Sequence, residues 1–256
     1  MIPLLLVFAL VVSACSWNNN EEDEVGCAER PEGLANWWQL NEYDADVSVE
    51  HRDIVGGVNG FDGDVAPTLA SAKVNNGGFV DYYGSVDFQG GNSVTPGADD
   101  SFAVDAWVIL EGQDTEQMQN VLDSRDMTDG GRGIWFGLVD GRVGLRIGDG
   151  THTLEATGDV VPVDTWHFIA ASFDASSGEV EFTVDDQLST ASFSFPDDWS
   201  GNIATSTLGL HLHYGADTTT QIHNTPARLG VDEIEFFNQP VSAGCLLYTS
   251  PSPRDA

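Results

Sequence analysis

The body of the chain alternates short runs of hydrophobic and polar residues in the way that β-strands do. Alternation appears over residues 101–108, 166–173 and 180–184. Glycine, asparagine and aspartate separate these runs, and no segment carries a helical hydrophobic stripe of useful length. Many short strands divided by turn residues favour a β-sandwich or β-barrel.

A β-hairpin is predicted around Asp140-Gly141, which separates residues 133–139 from residues 142–147. Both central residues of a two-residue type I′ turn have positive φ, and Asp-Gly suits these positions. This register gathers the apolar residues on one face and places two pairs on the other: Trp135 opposite Arg146, and Gly137 opposite Gly144. The first pair can stack as a cation–π pair. The second pair leaves a shallow notch beside it.

The first residues have the composition of an export signal. Residues 1–12 are almost wholly apolar and too short to span a bilayer comfortably. An acidic run, residues 21–24, follows soon after them, which argues against the alternative of a buried strand or helix. Residues 1–14 are therefore expected to be a signal peptide.

The end of this signal resembles a bacterial lipobox. The residues Val12-Ser13-Ala14 stand directly before Cys15, and in the lipobox such a cysteine is acylated and becomes the N-terminus after cleavage. The resemblance implies an exported protein anchored by a lipid on Cys15, with the outer membrane or cell surface favoured. Residues 15–33 are then the acylated cysteine and an acidic spacer.

The last stretch, residues 245–256, departs abruptly in composition from the acidic sequence before it. From Cys245 onward it matches the translation of a transposase-type sequencing adaptor, so we expect 245–256 to be an artefact tail. The alternative is a genuine flexible tail rich in proline and serine. Only in that alternative can Cys27 and Cys245 join the chain ends by a disulfide.

Acidic residues dominate the charge of the chain. Asp and Glu number 41 against 9 Lys and Arg, for a net charge of −32. Such a surface repels phosphates and anionic lipid heads, so we exclude nucleic acid, and we expect membrane contact only through the lipid. Two explanations of the acidity remain open and compatible: adaptation to high salt, and calcium binding by clustered oxygen ligands.

Four blocks resemble the laminin-G-like, or concanavalin A-like, jelly rolls, which share a fold with legume lectins and pentraxins. The blocks fall in the family's order: 85–88, 101–108, 165–174 and 230–240. In the last block a strand beginning Gly-x-Asp-Glu is followed by an asparagine, as in the family. The resemblance implies an all-β jelly-roll sandwich of two antiparallel sheets over residues 34–244.

The same resemblance implies a structural calcium near the ends of the first and last strands. Candidate ligands are Asp232 in the last strand, together with Asp44, Asp46 or Asp53 after the first. The alternative is that these are ordinary loop and edge carboxylates of a very acidic protein.

Aromatic side chains supply the candidate ligand-binding residues. Sugar-binding sandwiches stack pyranose rings on exposed aromatic faces, which directs attention to four residues: Trp135 with Arg146 beside the glycine notch, Trp199 and Tyr214. The alternative for Trp135 is that another strand or loop covers it, because tryptophan is usually largely buried.

A glycoside hydrolase of the same fold is the less favoured functional class. Glu233 and Glu235 are two residues apart, so they share one face of a strand, and paired carboxylates hydrolyse glycosides. The glycanase pattern Glu-x-Asp-x-x-Glu is nevertheless absent. We therefore predict a non-catalytic, monomeric binding module that recognises glycan or an extracellular protein ligand. The alternative is a structural or adhesive envelope protein.

Overall fold

The described part of the chain is built from β-strands. The computed structural model describes residues 30–41, 50–62, 73–74, 79–81, 85–88, 96–97, 100–111, 118–126, 129–204, 211–213, 228–242 and 246. The strands in these ranges are β1 (Leu34–Trp38), β2 (Glu50–His51), β3 (Gly60–Asp62), β4 (Phe79–Asp81), β5 (Ser85–Phe88), β6 (Phe102–Glu111), β7 (Gln119–Asp123), β8 (Gly133–Val139), β9 (Arg142–Gly148), β10 (Thr153–Val160), β11 (Trp166–Asp174), β12 (Glu179–Val184), β13 (Gln187–Ser192), β14 (His211–His213) and β15 (Arg228–Phe237). Within the same ranges, no helix is long and apolar enough to cross a membrane.

The strands form two antiparallel sheets. The seven-stranded sheet has the order β1-β15-β6-β11-β12-β13, with β4 also paired to β15. The eight-stranded sheet has the order β10-β9-β8-β7-β14-β5-β3-β2. Strands β8 to β13 pair mostly with their neighbours along the chain, whereas β15 pairs with β1 and β6, far away in sequence. The predicted all-β sandwich of two antiparallel sheets is confirmed.

The hydrophobic core lies between the sheets because each contributing strand turns its apolar face inward. Phe102, Val104 and Ala106 of β6 meet Ile134 and Phe136 of β8 in one buried cluster. The alternation that the sequence shows over residues 101–108 is therefore the inward face of a central strand.

The hairpin of β8 and β9 has the predicted turn and register. Asp140 and Gly141 have φ of 50° and 72°, as a type I′ turn requires. The pairs run from Val139 opposite Arg142 to Ile134 opposite Ile147, and they include Trp135 with Arg146 and Gly137 with Gly144. Asp-Gly chemistry and apolar alternation were sufficient to predict this element.

The two facing glycines of this hairpin predict unequal responses to a methyl group. A Cβ on Gly137 would lie 2.0 Å from the backbone carbonyl oxygen of Gln119 in β7, whereas on Gly144 its nearest neighbour would be a side-chain methyl of Val139 at 3.1 Å. Gly137→Ala should lower the free energy of unfolding by about 2–3 kcal/mol because the backbone of β7 must move. Gly144→Ala is the matched control and should cost less than about 1 kcal/mol. Equal shifts of the two urea midpoints would contradict this packing.

Candidate functional site

The outward face of the seven-stranded sheet holds a cluster of carboxylates. In β6, Asp105 stands between Val104 and Ala106, which face the core, so its side chain points away from the core. On the neighbouring strand, Glu235 lies directly opposite Asp105. Glu233 is close enough for its charge to act on Asp105. Asp105, Glu233 and Glu235 are called the acid cluster below.

A β-bulge in β15 brings Glu233 into this cluster. The register passes from Asp232 opposite Trp107 to Glu235 opposite Asp105, so β15 contains one extra residue there. Glu233 takes up the bulge with a φ of 50°, a left-handed conformation that non-glycine residues rarely adopt. Its Oε2 accepts a hydrogen bond from the indole Nε1 of Trp37 at 2.6 Å. The prediction that Glu233 and Glu235 share one face is confirmed.

The acid cluster is sealed from solvent. Its three side chains are between 0% and 1% exposed. Both carboxylate oxygens of Asp105 and Oε2 of Glu235 have no hydrogen-bond partner among the described residues. A second hydrophobic cluster covers this outward face and consists of Leu34, Val74, Ala103, Trp107, Phe168, Ala170, Phe237 and Leu246.

Burial raises the pKa of two of these carboxyl groups, those of Asp105 and Glu235. Desolvation, followed by the charges of Glu235 and Glu233, raises the pKa of Asp105 well above its ordinary value. Desolvation alone raises the pKa of Glu235 to about 8. Protonated carboxyls are therefore present in the folded protein at neutral pH, where exposed carboxyls are ionised.

Of the described calcium candidates, Asp53 is fully occupied by hydrogen bonds of the protein itself, whereas Asp232 keeps a buried Oδ1 with no hydrogen-bond partner among the described residues. Asp53 accepts five, from the backbone nitrogens of Trp37, Val55, Gly56 and Val58 and from Nδ2 of Asn36. Such a carboxylate organises the loop after β2 and does not fit the role of a calcium ligand, which needs free lone pairs.

Asp232 likewise fastens a chain segment. Its Oδ2 accepts the backbone N–H groups of Lys73 and Val74, both at 2.9 Å. Burial raises the pKa of Asp232 to about 6 against the opposing effect of these bonds. Asp44 and Asp46 lie outside the described residues, and within those residues no three His, Cys, Asp or Glu side chains are placed to hold a metal ion.

Trp135 is buried and offers no open ring face, so the expected exposed platform is wrong. The side chain is 0% exposed, and its Nε1 donates a hydrogen bond to Oδ1 of Asn120. The indole fills the glycine notch, because a Cβ on Gly137 would lie 3.0 Å from its Cζ2. The alternative that Trp135 is covered therefore holds.

Two arginines flank the buried indole. The guanidinium carbons of Arg125 and Arg146 lie 5.9 Å and 5.5 Å from the centroid of the Trp135 ring. The predicted stacking of Arg146 on Trp135 is confirmed, and Arg146 also forms an ion pair with Glu155. The aromatic ring and the two cations thus stabilise the outward face of the eight-stranded sheet.

Trp199, in contrast, lies in the wall of an open pocket. A cavity of about 260 Å³ opens between the two sheets, and its floor consists of the buried side chains of Ile147, Phe173 and Ile203. Phe195 is 38% exposed and Trp199 is half-buried; their ring centroids lie 5.6 Å apart with the planes tilted by 42°. Pockets for drug-sized ligands measure about 300–1,000 Å³, so this pocket suits a single ring. It is called the Trp199 pocket below.

A buried aspartate positions the turn that carries Trp199. Oδ2 of Asp149 accepts the backbone N–H of Ser200 at 2.8 Å, and its Oδ1 accepts those of Thr151 and His152. Burial raises the pKa of Asp149, but these hydrogen bonds outweigh burial and hold it well below its usual range. The Trp199 turn is therefore anchored to the end of β9 by an anion that stays charged at physiological pH.

Several predicted residues lie outside the described part of the chain: Cys15, Cys27, Tyr214 and Cys245. The lipid and the disulfide stay predictions, and so does the role of Tyr214.

The family of the chain follows from its sequence over most of the sandwich. Residues 80–243 match a laminin G family model described as the concanavalin A-like lectin/glucanases superfamily. The chain belongs to this superfamily. No curated protein sequence matches the chain significantly.

Solved structures similar to this superfamily member include receptor-binding domains of clostridial toxins. The binding domain of Paraclostridial Mosquitocidal Protein 1 is 9% identical, with a TM-score of 0.61 and coverage of 84% of this chain and 52% of that one. The binding domain of botulinum neurotoxin DC, solved in complex with rat synaptotagmin II, is 11% identical, with a TM-score of 0.58 and coverage of 85% and 51%. A structure of botulinum neurotoxin type C, a toxin whose cell entry depends on two ganglioside molecules, is 10% identical. Its TM-score is 0.57, and the match covers 85% of this chain and 51% of that one. The chain spans about half the length of these structures, and such identities show a shared fold alone.

Two features of this concanavalin A-like domain were missed from the sequence: the buried Asp105 and the lining of the Trp199 pocket. Asp105 alternates with the core-facing residues of β6 and therefore faces outward. A charged residue in the middle of an apolar strand was the sequence signal that could have identified it. Phe195 and Asp100 of the Trp199 pocket gave no comparable signal, since they come from separate loops that only the fold brings together.

The acid cluster predicts that stability falls as the pH rises. Glu235 keeps its proton up to a pH of about 8 in the folded protein, whereas an ordinary Glu releases it near 4.5. Between these values the unfolded chain binds fewer protons, so the stabilising effect is complete below about 4.5 and is lost through about 8. The free energy of unfolding should fall over this window by up to about 1.4 kcal/mol per pH unit and per proton.

Urea unfolding at a series of pH values measures this slope. Asp105→Asn should flatten it, because the raised pKa of Asp105 no longer contributes to the pH dependence. Asp186→Asn, at an exposed turn position, removes the same charge and should leave the slope unchanged. Equal slopes in all three proteins would contradict the protonated cluster.

Proposed function

We propose that this chain is the non-catalytic binding module of an exported lipoprotein, and that it recognises a glycan through the Trp199 pocket. The superfamily contains both lectins and glucanases, so the choice between binding and catalysis depends on the geometry of the site. The Trp199 pocket is the observation that carries the proposal. It is concave, aromatic and open, whereas the acidic side chains that could serve hydrolysis are sealed.

The chemistry of the pocket favours a sugar ring. Phe195 and Trp199 present tilted aromatic faces, and the C–H face of a pyranose packs against such rings. Asp100 lies at the same pocket and is exposed, so its carboxylate can accept hydrogen bonds from hydroxyl groups. An apolar floor with a few polar groups at the rim is the usual composition of a small-ligand site.

The burial of the acid cluster supports a non-catalytic role. A glycosidase needs two carboxyl groups that reach the scissile bond and, in inverting enzymes, a water molecule. Asp105, Glu233 and Glu235 are at most 1% exposed and lie beneath hydrophobic side chains. Substrate would reach them only if the outer hydrophobic cluster opened.

The similar structures support a receptor-binding role of this general kind. Two of these structures are binding domains, one of them in complex with rat synaptotagmin II, and the third belongs to a toxin whose cell entry depends on two ganglioside molecules. A glycan or an extracellular protein is therefore the partner class that the fold favours, and the pocket directs the choice toward glycan.

A glycan array of the full chain, followed by calorimetry with the best-bound glycan, tests the proposal. Phe195→Ala and Trp199→Ala should each weaken binding about tenfold or more, because they remove an aromatic wall of the pocket. Phe61→Ala is the matched control: Phe61 is also 38% exposed, but it lies on β3 away from the pocket lining. A flat array would contradict glycan recognition, and equal losses in the control would contradict this site.

The same array with a chelator tests calcium. We also propose, from the family resemblance, a structural calcium held by carboxylates other than Asp53. Calcium bound to the native state alone must stabilise it, so the melting temperature of the full chain should rise with added calcium. An unchanged melting temperature would remove calcium from the proposal.

Anchoring through Cys15 has its own test. Expressed from its own start in a bacterial host, the full chain should incorporate a labelled fatty acid and enter the detergent-soluble membrane fraction. Cys15→Ser should lose both label and membrane association while it keeps glycan binding. Labelling that persists in the variant would place the lipid elsewhere or contradict the lipobox.

A further inference from the structure

The Trp199 pocket has a negative charge at its rim. Asp100 is the charged residue among the described residues that line it. Its Oδ2 accepts the backbone N–H of Gly97 at 2.7 Å, which fixes the direction of the carboxylate. The group is exposed, so it stays available to a ligand.

Further carboxylates surround the aromatic wall. The turn before Trp199 carries exposed Asp197 and Asp198, and Asp149 beneath it is anionic at physiological pH because of its hydrogen bonds. Asp149 holds this turn through the backbone N–H of Ser200, and Asp100 reaches the pocket from a separate loop. All four groups carry charges of one sign. Their fields add, and the net charge of −32 on the whole chain has the same sign.

The basic side chains of this region, Arg132 and His152, already contact acceptor groups of the protein. Arg132 donates from Nε to Asp129 at 2.5 Å and from Nη1 to the carbonyl oxygen of Asn202 at 2.5 Å. His152 lies between two carboxylates, with its Nε2 3.3 Å from Oδ1 of Asp198 and its Nδ1 3.7 Å from Asp149. The negative potential of the pocket is therefore not cancelled by a free cation among these residues.

We infer that the Trp199 pocket binds an amino sugar whose nitrogen is an unsubstituted ammonium group. The inference rests on the proposed function and names its ligand class. The sugar ring packs on Phe195 and Trp199, and the ammonium lies toward Asp100 and the aromatic faces. A cation near an aromatic ring is attracted to the ring face, and a carboxylate beside it adds a charge-assisted hydrogen bond.

The same charges exclude anionic glycans. A sialylated or uronic-acid sugar would bring its carboxylate beside Asp100 in a pocket whose lining offers no described Lys or Arg to pair with it. N-acetylation would remove the positive charge of the amino sugar and enlarge the group that must fit within about 260 Å³. The pocket thus discriminates by charge first and by size second.

Calorimetry of the full chain with four glycans tests this selectivity. The probes are the β-1,4-linked tetramers of glucosamine, N-acetylglucosamine and glucose, and sialyllactose, at low salt and at a mildly acidic pH that keeps the amine protonated. The glucosamine tetramer should bind about tenfold more tightly than the glucose tetramer, which equals about 1.4 kcal/mol. Sialyllactose should bind weakest, and added salt should reduce the advantage of the charged amino sugar.

Two isosteric variants locate the effect. Asp100→Asn keeps the size of the side chain and an oxygen for the Gly97 N–H, and it should remove most of the tenfold preference for glucosamine. Asp197→Asn changes the net charge equally but does not line the pocket, so it should retain the preference within about twofold. Glucose binding should be nearly unchanged in Asp197→Asn, and in Asp100→Asn it should weaken less than glucosamine binding does, because the amide oxygen still accepts hydrogen bonds from hydroxyl groups.

The outcomes separate this inference from the proposed function. Binding that needs Trp199 but is equal or stronger for neutral, acetylated or sialylated glycans would overturn the amino-sugar inference and leave the binding module intact. Equal effects of Asp100→Asn and Asp197→Asn would overturn the role of Asp100. The absence of any binding that depends on Trp199, for all four glycans, would overturn both.

Discussion

Strands β6 and β15 lie side by side in the seven-stranded sheet, and their pairing joins the middle of the chain to its last strand. One face of the pair fills the core with Val104, Val108, Val231 and Phe236. The other face carries the acid cluster. Because the two strands are far apart in sequence, closing this pairing costs more chain entropy than closing a hairpin does. Every other element of the described seven-stranded sheet adds to one side of this pair or the other.

The bulge in β15 allows one face of this strand pair to pack in the core while the other face carries carboxyl groups. A regular strand would alternate Asp232 and Glu233 to opposite faces and would place one carboxylate in the hydrophobic core. The extra residue keeps Ile234 in the core and turns both acidic neighbours outward. The cost is a strained φ at Glu233 and the burial of Asp105 and Glu235 without cationic partners among the described residues, which protonation makes tolerable. This strain and burial belong to the architecture of the sheet and contribute nothing to ligand contact.

Local patterns predicted the parts of the fold that depend on neighbours along the chain. Asp140-Gly141 specified a turn, and the apolar alternation around it specified a register, so the β8–β9 hairpin followed from the sequence. The shared face of Glu233 and Glu235 followed from the same periodicity. Periodicity predicts which face of a sheet a side chain lies on, but not whether other groups cover that face. Trp135 was therefore considered as an exposed ring, whereas in the structure it is buried between Arg125, Arg146 and the glycine notch.

The candidate site required the fold itself. The Trp199 pocket draws Asp100, Ile147, Phe173 and Phe195 from separate strands and loops, and no spacing along the chain relates them. Asp53 shows the converse: an aspartate after the first strand resembled a calcium ligand in the sequence, and only the structure shows that five N–H groups already occupy it. Trp199 alone was recognised in advance, because a tryptophan in a polar loop is a weak but real sign of exposure.

A chain of aromatic contacts links the pocket to the centre of the molecule. Ring centroids step from Phe102 to Phe173, Phe193, Phe195 and Trp199 at separations of 5.5 to 6.3 Å. The floor of the site is therefore core, and substitutions there would change the stability of the domain along with its affinity. The rim is different: Asp100 is exposed and takes no part in that chain, so it can vary without disturbing it. Within this scaffold, new ligand preferences would accordingly arise by exchanging charges at the rim while the aromatic chain beneath stays the same.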